Sequence, residues 1–184
     1  MELAKRDLFG GAMTVNLPRH NLVDASTLRE VPDTQEVFLH TDCTASWIVE
    51  ILQRVEPVDA VEAAKFHFSS LAHDNDALSS QVVDVRTLPA QPNASPHAAN
   101  TPPPTICDGW QEVAKYNRTA PDKVEIMLAV YRLQAQNIDV VLSVNLPHVL
   151  ADGTRTPEDL ITGIKSSFVA VAQSLSIVDF GLFA

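Results

Sequence analysis

The chain has 184 residues, of which 46% are apolar and 20% are charged. These values predict one folded domain over residues 1–184 with a sizeable core, and they argue against global disorder. The 23 acidic residues outnumber the 13 basic ones, and the net charge of −10 disfavours nucleic acid and anionic membranes as partners and favours a basic protein. We also expect the chain to be a monomer.

The location of the protein is predicted from features that these residues lack. Residues 1–7 contain no apolar run of the kind found in secretory signals, and no apolar run approaches the ~20 residues of a membrane span. Cys43 and Cys107 are far apart in the chain, which is typical of reduced core thiols rather than of a disulfide or a metal pair. We expect a location in the cytoplasm and the nucleus, which a chain of this size can enter without a basic import signal.

Apolar periodicity and turn residues predict six strands and three helices. Extended or alternating runs indicate strands at residues 12–17, 35–41, 82–88, 107–116, 123–133 and 137–146. Apolar residues at helical spacing indicate helices between Thr44 and Pro57, from about Asp59, and after Thr156. For the last helix, Thr156 is the expected N-cap and Pro157 the expected first residue.

These elements indicate an α+β fold. The pattern predicts a three-layer sandwich in which helices cover both faces of a six-stranded, mostly antiparallel sheet. A parallel sheet needs a helix between nearly every pair of strands, and the last three predicted strands have none. Residues 89–105 are rich in proline and lack an apolar period, so we predict a flexible loop inside the domain.

The segment at residues 22–40 carries the most informative polar side chains. Asp24, Asp33 and Glu36 surround a proline turn that immediately precedes a predicted strand. Carboxylates on such a turn lie at the rim of a sheet, where they can contact a partner. The alternative is that they are helix caps or solvated charges.

No pattern in the sequence predicts a bond-making active site. Residues 163–166 only partly match a phosphate-binding loop, and the six histidines are scattered. Trp47, Trp110 and Tyr116 are expected in the core rather than on a ligand platform. We therefore expect a protein that acts by binding, without catalytic residues, a cofactor or a metal.

Three segments resemble the Ran guanine nucleotide release factors of the Mog family. They are LFGGA at residues 8–12, DASTLREVPDTQEV at residues 24–37, and the end of the chain at residues 178–184. The resemblance implies a Mog/PsbP-like fold, an antiparallel sheet flanked by helices. It also implies that the protein binds the small GTPase Ran through an acidic surface, promotes release of guanine nucleotide, and regulates nucleocytoplasmic transport.

The resemblance also implies which residues contact Ran. The acidic residues of the family motif fall on Asp33 and Glu36, and less clearly on Asp24, which could instead cap a helix. Arg29 and Glu30 are expected to be supporting contacts at the rim. If these residues contact Ran, Asp33→Lys or Glu36→Lys should abolish Ran binding and leave the thermal midpoint nearly unchanged.

Two other functions remain open from the residues. The first is an adaptor that binds Ran or another protein without altering nucleotide affinity. The second is a ligand-binding or assembly module, because photosystem-associated extrinsic proteins share this fold class. Release of fluorescent nucleotide from loaded Ran separates the first alternative from the favoured function.

Overall fold

The computed structural model describes residues 1–89, 100–114 and 120–183. In these ranges the chain forms the strands β1 (Leu3–Leu8), β2 (Met13–Pro18), β3 (Leu22–Asp24), β4 (Gln35–His40), β5 (Ser46–Gln53), β6 (Ala77–Thr87), β7 (Thr105–Val113), β8 (Asp122–Leu133), β9 (Ile138–Val149) and β10 (Ser176–Ile177). The two α-helices are α1 (Ala60–Asp74) and α2 (Glu158–Ser174), and short 3-10 turns occupy Phe9–Gly11, Ala25–Thr27 and Phe180–Phe183.

The main sheet has seven strands in the order β3-β4-β5-β9-β8-β7-β6, and each neighbouring pair is antiparallel. A second sheet of three strands has the order β1-β2-β10. The predicted α+β class and the antiparallel sheet with helices on both faces are confirmed. The predicted number of six strands is wrong, because β1, β3, β5 and β10 were not recognised as strands.

The two helices cover opposite faces of the main sheet. On one face, α2 packs Phe168 against Trp47, with their rings 6.2 Å apart, in a core that also includes the second sheet. On the other face, α1 packs Ala64 and Phe68 against the end of the sheet formed by β6, β7 and β8. β8 is buried on both faces, which explains its nearly continuous apolar sequence.

The segment predicted as a helix between Thr44 and Pro57 is the strand β5. Trp47 and Val49 lie in the core beneath α2, whereas Leu52 packs against the core beneath α1. Because β5 has apolar residues on both faces, it lacks a strict apolar alternation, and its apolar positions can imitate a helical period. The expectation that Trp47 lies in the core is confirmed, since its side chain is fully buried.

The start of α2 also differs from the prediction by one residue. The helix begins at Glu158, and Pro157 occupies the N-cap position without a side-chain cap. The Thr156 hydroxyl instead donates to the Pro147 carbonyl at 2.5 Å, which attaches the start of the helix to β9. No helix among the described residues is long and apolar enough to cross a membrane.

The predicted proline-rich loop is only partly described. Residues 90–99 lie outside the described ranges, as does Tyr116. The end of the loop is attached to the domain: Thr101 Oγ1 accepts a hydrogen bond from the Ile177 amide at 2.8 Å, and the Pro104 carbonyl accepts one from the Leu88 amide at 2.9 Å. Thr105 is buried and begins β7.

Candidate functional site

Residues 24–36, here termed the acidic loop, connect β3 to β4 at one edge of the main sheet. Ala25 is fully buried and anchors the beginning of the loop. A turn closes its end, because the Gln35 amide donates to the Pro32 carbonyl at 2.9 Å. The loop is therefore held at both ends, which limits the positions its side chains can take.

Asp24 has a local structural role. Its Oδ1 accepts a hydrogen bond from the Ser26 amide at 2.8 Å, and this caps the 3-10 turn Ala25–Thr27. The Thr27 hydroxyl adds a bond to the Asp24 carbonyl at 2.6 Å. The capping alternative for Asp24 is thus the arrangement that the structure shows, and a cap of this type stabilises by about 1 kcal/mol.

Asp33 is the exposed carboxylate of the closing turn. Its side chain makes no hydrogen bond or ion pair within the described part of the chain. The backbone beneath it is fixed, because the next residue, Thr34, accepts a hydrogen bond from the Ile51 amide of β5 at 2.9 Å. A free charge on a fixed backbone is well suited to contact a partner, since little ordering is required on binding.

The acidic loop exposes other side chains of different chemical types. Arg29 and Glu30 are exposed and have no side-chain partner among the described residues. Leu28 is 68% exposed, although it is a large apolar residue. An apolar side chain beside free charges is typical of a protein-contact surface.

Glu36 joins the acidic loop to the segment at residues 8–12. Its side chain is half-buried, and Oε1 accepts a hydrogen bond from the Phe9 amide at 2.6 Å. Phe9 has a φ of +50°, and the following Gly10 and Gly11 have φ values of +65° and +92°. Glycine adopts these left-handed conformations readily, but phenylalanine does so only with strain. The carboxylate therefore stabilises a backbone conformation that is otherwise unfavourable.

A buried ionic network lies on the opposite side of β5 from the second sheet and was missed from the sequence. Asp139 is fully buried and accepts hydrogen bonds from His67 at 2.9 Å, the Val55 amide at 3.1 Å and Arg132 at 3.1 Å. Arg132 also donates to the carbonyls of Val55 and Pro57. The network thereby fixes the connection between β5 and α1, which is a structural role.

These contacts favour the ionised form of the Asp139 carboxyl group. Burial alone would raise the pKa of Asp139, but the hydrogen bonds from His67 and the Val55 amide and the Arg132 charge outweigh it. The pKa of Asp139 is therefore held below its ordinary value.

Trp110 lines a polar cleft between β6, β7, β8 and α2, with a volume of about 260 Å³. The ring is half-buried, with the Lys123 ammonium 5.1 Å from its centroid and the His148 ring 4.6 Å away. Glu125 accepts hydrogen bonds from His148 at 2.8 Å and is paired with Lys165 at 2.7 Å. The expectation that Trp110 is a core residue is therefore only partly correct, because one side of its ring borders this cleft.

His40, Asp42 and Cys43 are the described residues whose potential metal-ligand atoms lie together, within 4.8 Å of one another. The Trp47 indole donates to His40 Nε2 at 3.1 Å, so a neutral His40 ring carries its proton on Nδ1, the nitrogen nearest Asp42. Burial lowers the pKa of His40, and Asp42 only partly offsets it, which favours the neutral ring. A metal bound at Nδ1 would require the ring proton to move to Nε2, and Nε2 could then no longer accept the hydrogen bond from Trp47. This cluster is therefore poorly suited to hold a metal.

Cys107 is the more deeply buried of the two free cysteines. Burial raises the pKa of its thiol to about 12, which makes the thiolate inaccessible near neutral pH. The prediction of a reduced core thiol holds for Cys107, whereas Cys43 is only half-buried.

The chain is similar over nearly its whole length to proteins that are named for an interaction with Ran. The profile of the family described as Ran-interacting Mog1 protein matches residues 6–147. The Ran guanine nucleotide release factor of Danio rerio is 30% identical over 181 residues, which cover 97% of this chain and 98% of the relative. The nuclear import protein mog1 of Schizosaccharomyces pombe is 30% identical over 191 residues, with coverage of 96% and 98%.

A solved structure agrees with these sequence similarities. The crystal structure of the Saccharomyces cerevisiae Ran-binding protein Mog1p superposes with a TM-score of 0.77 at 28% identity, and the match covers 100% of both chains.

Proposed function

This chain belongs to the family of Ran-interacting Mog1 proteins, and we propose that it binds the small GTPase Ran and promotes release of its guanine nucleotide. The names of its relatives, Ran guanine nucleotide release factor and nuclear import protein, support a role in nuclear protein import. We further propose that it acts as a monomer in the nucleus and the cytoplasm.

One observation carries the proposal: two of the three segments that resemble the family, at residues 8–12 and 24–37, meet in space. The bond between the Phe9 amide and Glu36 links residues 8–12 to the acidic loop, although the bonded residues are 27 positions apart. The linked segments present the free carboxylate of Asp33 on a fixed turn. The exposed carboxylates of the acidic loop, Glu30 and Asp33, are groups that a basic protein partner would contact in this proposal.

The proposed mechanism needs no bond-making residue. A GTPase holds its nucleotide through a lysine, backbone donors and Mg²⁺ around the phosphates. If a protein prefers the nucleotide-free GTPase, bound nucleotide lowers the affinity of the GTPase for that protein. By linkage, the bound protein lowers the affinity of the GTPase for nucleotide by the same factor. Recognition by carboxylates, rather than acid–base chemistry, is therefore sufficient for release.

We propose different roles for the acidic residues. Asp33 is the direct contact, with Arg29 and Glu30 at the rim of the interface. Glu36 has a free second oxygen for the partner, but its first oxygen positions the Phe9 segment. Asp24 acts through the cap that shapes the loop. Substitution of Glu36 should consequently lower stability as well as binding, unlike the expectation from the sequence that both lysine variants leave the thermal midpoint unchanged.

An adaptor function is the main alternative. In that case the protein binds Ran or another partner through the same surface without altering nucleotide affinity. The two functions differ in one result, which is whether nucleotide leaves loaded Ran faster when the protein is added.

Calorimetric titration of Ran with the wild type and with Asp33→Lys tests the proposed contact. If the Asp33 carboxylate is desolvated in the complex, its loss weakens binding by about 2–5 kcal/mol. Glu56→Lys is the matched control, because Glu56 is exposed, has no side-chain partner among the described residues and lies outside the acidic loop. Equal weakening by both variants would show that only net charge matters, and no weakening by Asp33→Lys would exclude Asp33 from the interface.

A further inference from the structure

A second polar recess opens on the face of the main sheet that carries α1. It lies between α1 and the strands β5, β8 and β9 and has a volume of about 130 Å³. Its polar lining residues come from three elements: Glu50 of β5, His67, Ser70 and Asp74 of α1, and Ser143 of β9. The rest of the lining is apolar. This arrangement is here termed the α1 recess.

The Ser143 hydroxyl is the first unusual group of the α1 recess. Ser143 is only 1% exposed, and its oxygen has no hydrogen-bond partner among the described residues. A buried hydroxyl without a partner costs about 1–3 kcal/mol in free energy of folding. A ligand that donates a hydrogen bond to this oxygen would remove that cost.

The two carboxylates are the second unusual feature. Glu50 is half-buried, and one of its oxygens accepts a hydrogen bond from Gln35 at 2.6 Å. Burial raises the pKa of Glu50, and the hydrogen bond from Gln35 only partly counteracts it, while the nearby Asp74 charge raises it further. Asp74 is the last residue of α1, where the partial negative charge of the helix end disfavours an acid.

Each of these groups would be stabilised by one planar cation with several donors. Acceptors on three different elements match the fork of N–H groups on a guanidinium better than the point charge of an ammonium. One water molecule needs roughly 10–15 Å³ of volume measured in this way. The volume of the α1 recess, about 130 Å³, therefore leaves room for a guanidinium head.

We propose that the α1 recess receives an arginine side chain of the protein partner, held by Glu50, Asp74 and the Ser143 hydroxyl. The inference rests on the proposed function, since the partner there is Ran. The α1 recess is linked to the acidic loop, because Gln35, which bonds Glu50, directly follows the turn that carries Asp33 and Thr34. A partner contacting Asp33 can therefore reach the α1 recess along β4.

The test compares Ran binding by the wild type, Glu50→Gln and Ser143→Ala in calorimetric titrations. Glu50→Gln keeps the shape of the side chain and removes its charge, and we expect Kd to rise by about 10- to 100-fold. Ser143→Ala should raise Kd by roughly 3- to 10-fold. Glu56→Gln, which makes the same charge change outside the α1 recess, should leave Kd within about twofold.

Thermal unfolding of the free proteins distinguishes a role of Ser143 in binding from a role in the fold. Because the Ser143 hydroxyl is unpaired in the free protein, Ser143→Ala should keep or raise the melting temperature while weakening binding. A lower melting temperature together with unchanged Kd would assign Ser143 to the fold and would overturn its role in binding.

A free probe separates failure of this inference from failure of the proposed function. Ethylguanidinium, titrated into the labelled wild type and followed by NMR, should shift the amide signals of Glu50 and Ser143 saturably, and Glu50→Gln should abolish these shifts. If Ran binds the wild type and both variants equally, the arginine site is wrong and the proposed function stands. If Ran does not bind at all, the proposed function is wrong, and the presence or absence of the ethylguanidinium shifts decides whether the α1 recess is a cation site.

Discussion

Glu36→Ala is expected to destabilise the protein, whereas Asp33→Ala is not, although both remove a carboxylate from the acidic loop. The Glu36 carboxylate accepts the Phe9 amide at 2.6 Å in a half-buried position. A hydrogen bond to a charged group contributes about 1.5–3 kcal/mol, and partial exposure reduces this to about 1–2 kcal/mol. The strained φ of +50° at Phe9 would then lack its stabilising contact.

The expected change is large enough for a thermal unfolding experiment. For a domain of this size, 1 kcal/mol corresponds to a shift of about 2–4 °C, so Glu36→Ala should lower Tm by roughly 2–8 °C. Asp33→Ala, at an exposed position without a partner among the described residues, should stay within about 0.5 kcal/mol of the wild type. Equal melting temperatures for the two variants, measured by circular dichroism, would refute the assigned contact.

Two other predictions concern the buried network and the proline-rich segment. Asp139→Asn should cost about 3–5 kcal/mol near neutral pH, because it leaves Arg132 without its buried partner. Since the pKa of Asp139 is lowered on folding, its contribution is present above the unfolded pKa of about 3.9 and is lost as the pH falls through the lower, folded pKa. In urea denaturation, the difference in free energy of unfolding between the variant and the wild type should therefore narrow below about pH 4. A difference that does not change with pH would contradict this direction. Replacing residues 90–99 with a Gly-Ser linker should change stability by less than ~1 kcal/mol, but extending the replacement through Thr105 should cost more, because Thr105 is buried in β7.

The sequence was sufficient for the fold class but not for every element. The end of α1 was recognisable from its polar turn, and the start of α2 from the acids of its first turn. β5 was mistaken for a helix because apolar residues occur on both of its faces. Its β-branched residues Ile48, Val49 and Ile51 were the available signal for a strand.

Only the features of the candidate site that depend on neighbouring residues could be predicted from the sequence. The exposed turn of Asp33 follows from neighbouring residues and was anticipated. The bond from Phe9 to Glu36 joins residues that are distant in sequence, so no local pattern shows it. For the same reason the α1 recess was missed, since Glu50, Asp74 and Ser143 come from three separate elements.

Stopped-flow release of a fluorescent GTP analogue from loaded Ran tests the central claim most directly. The wild type should accelerate release, and Asp33→Lys should not. Excess unlabelled GTP should displace the protein by mass action, and higher ionic strength should slow association of the acidic loop with Ran. Binding without any acceleration of release would contradict the proposed function and leave the adaptor alternative, and acceleration that is insensitive to competing GTP would contradict the linkage mechanism.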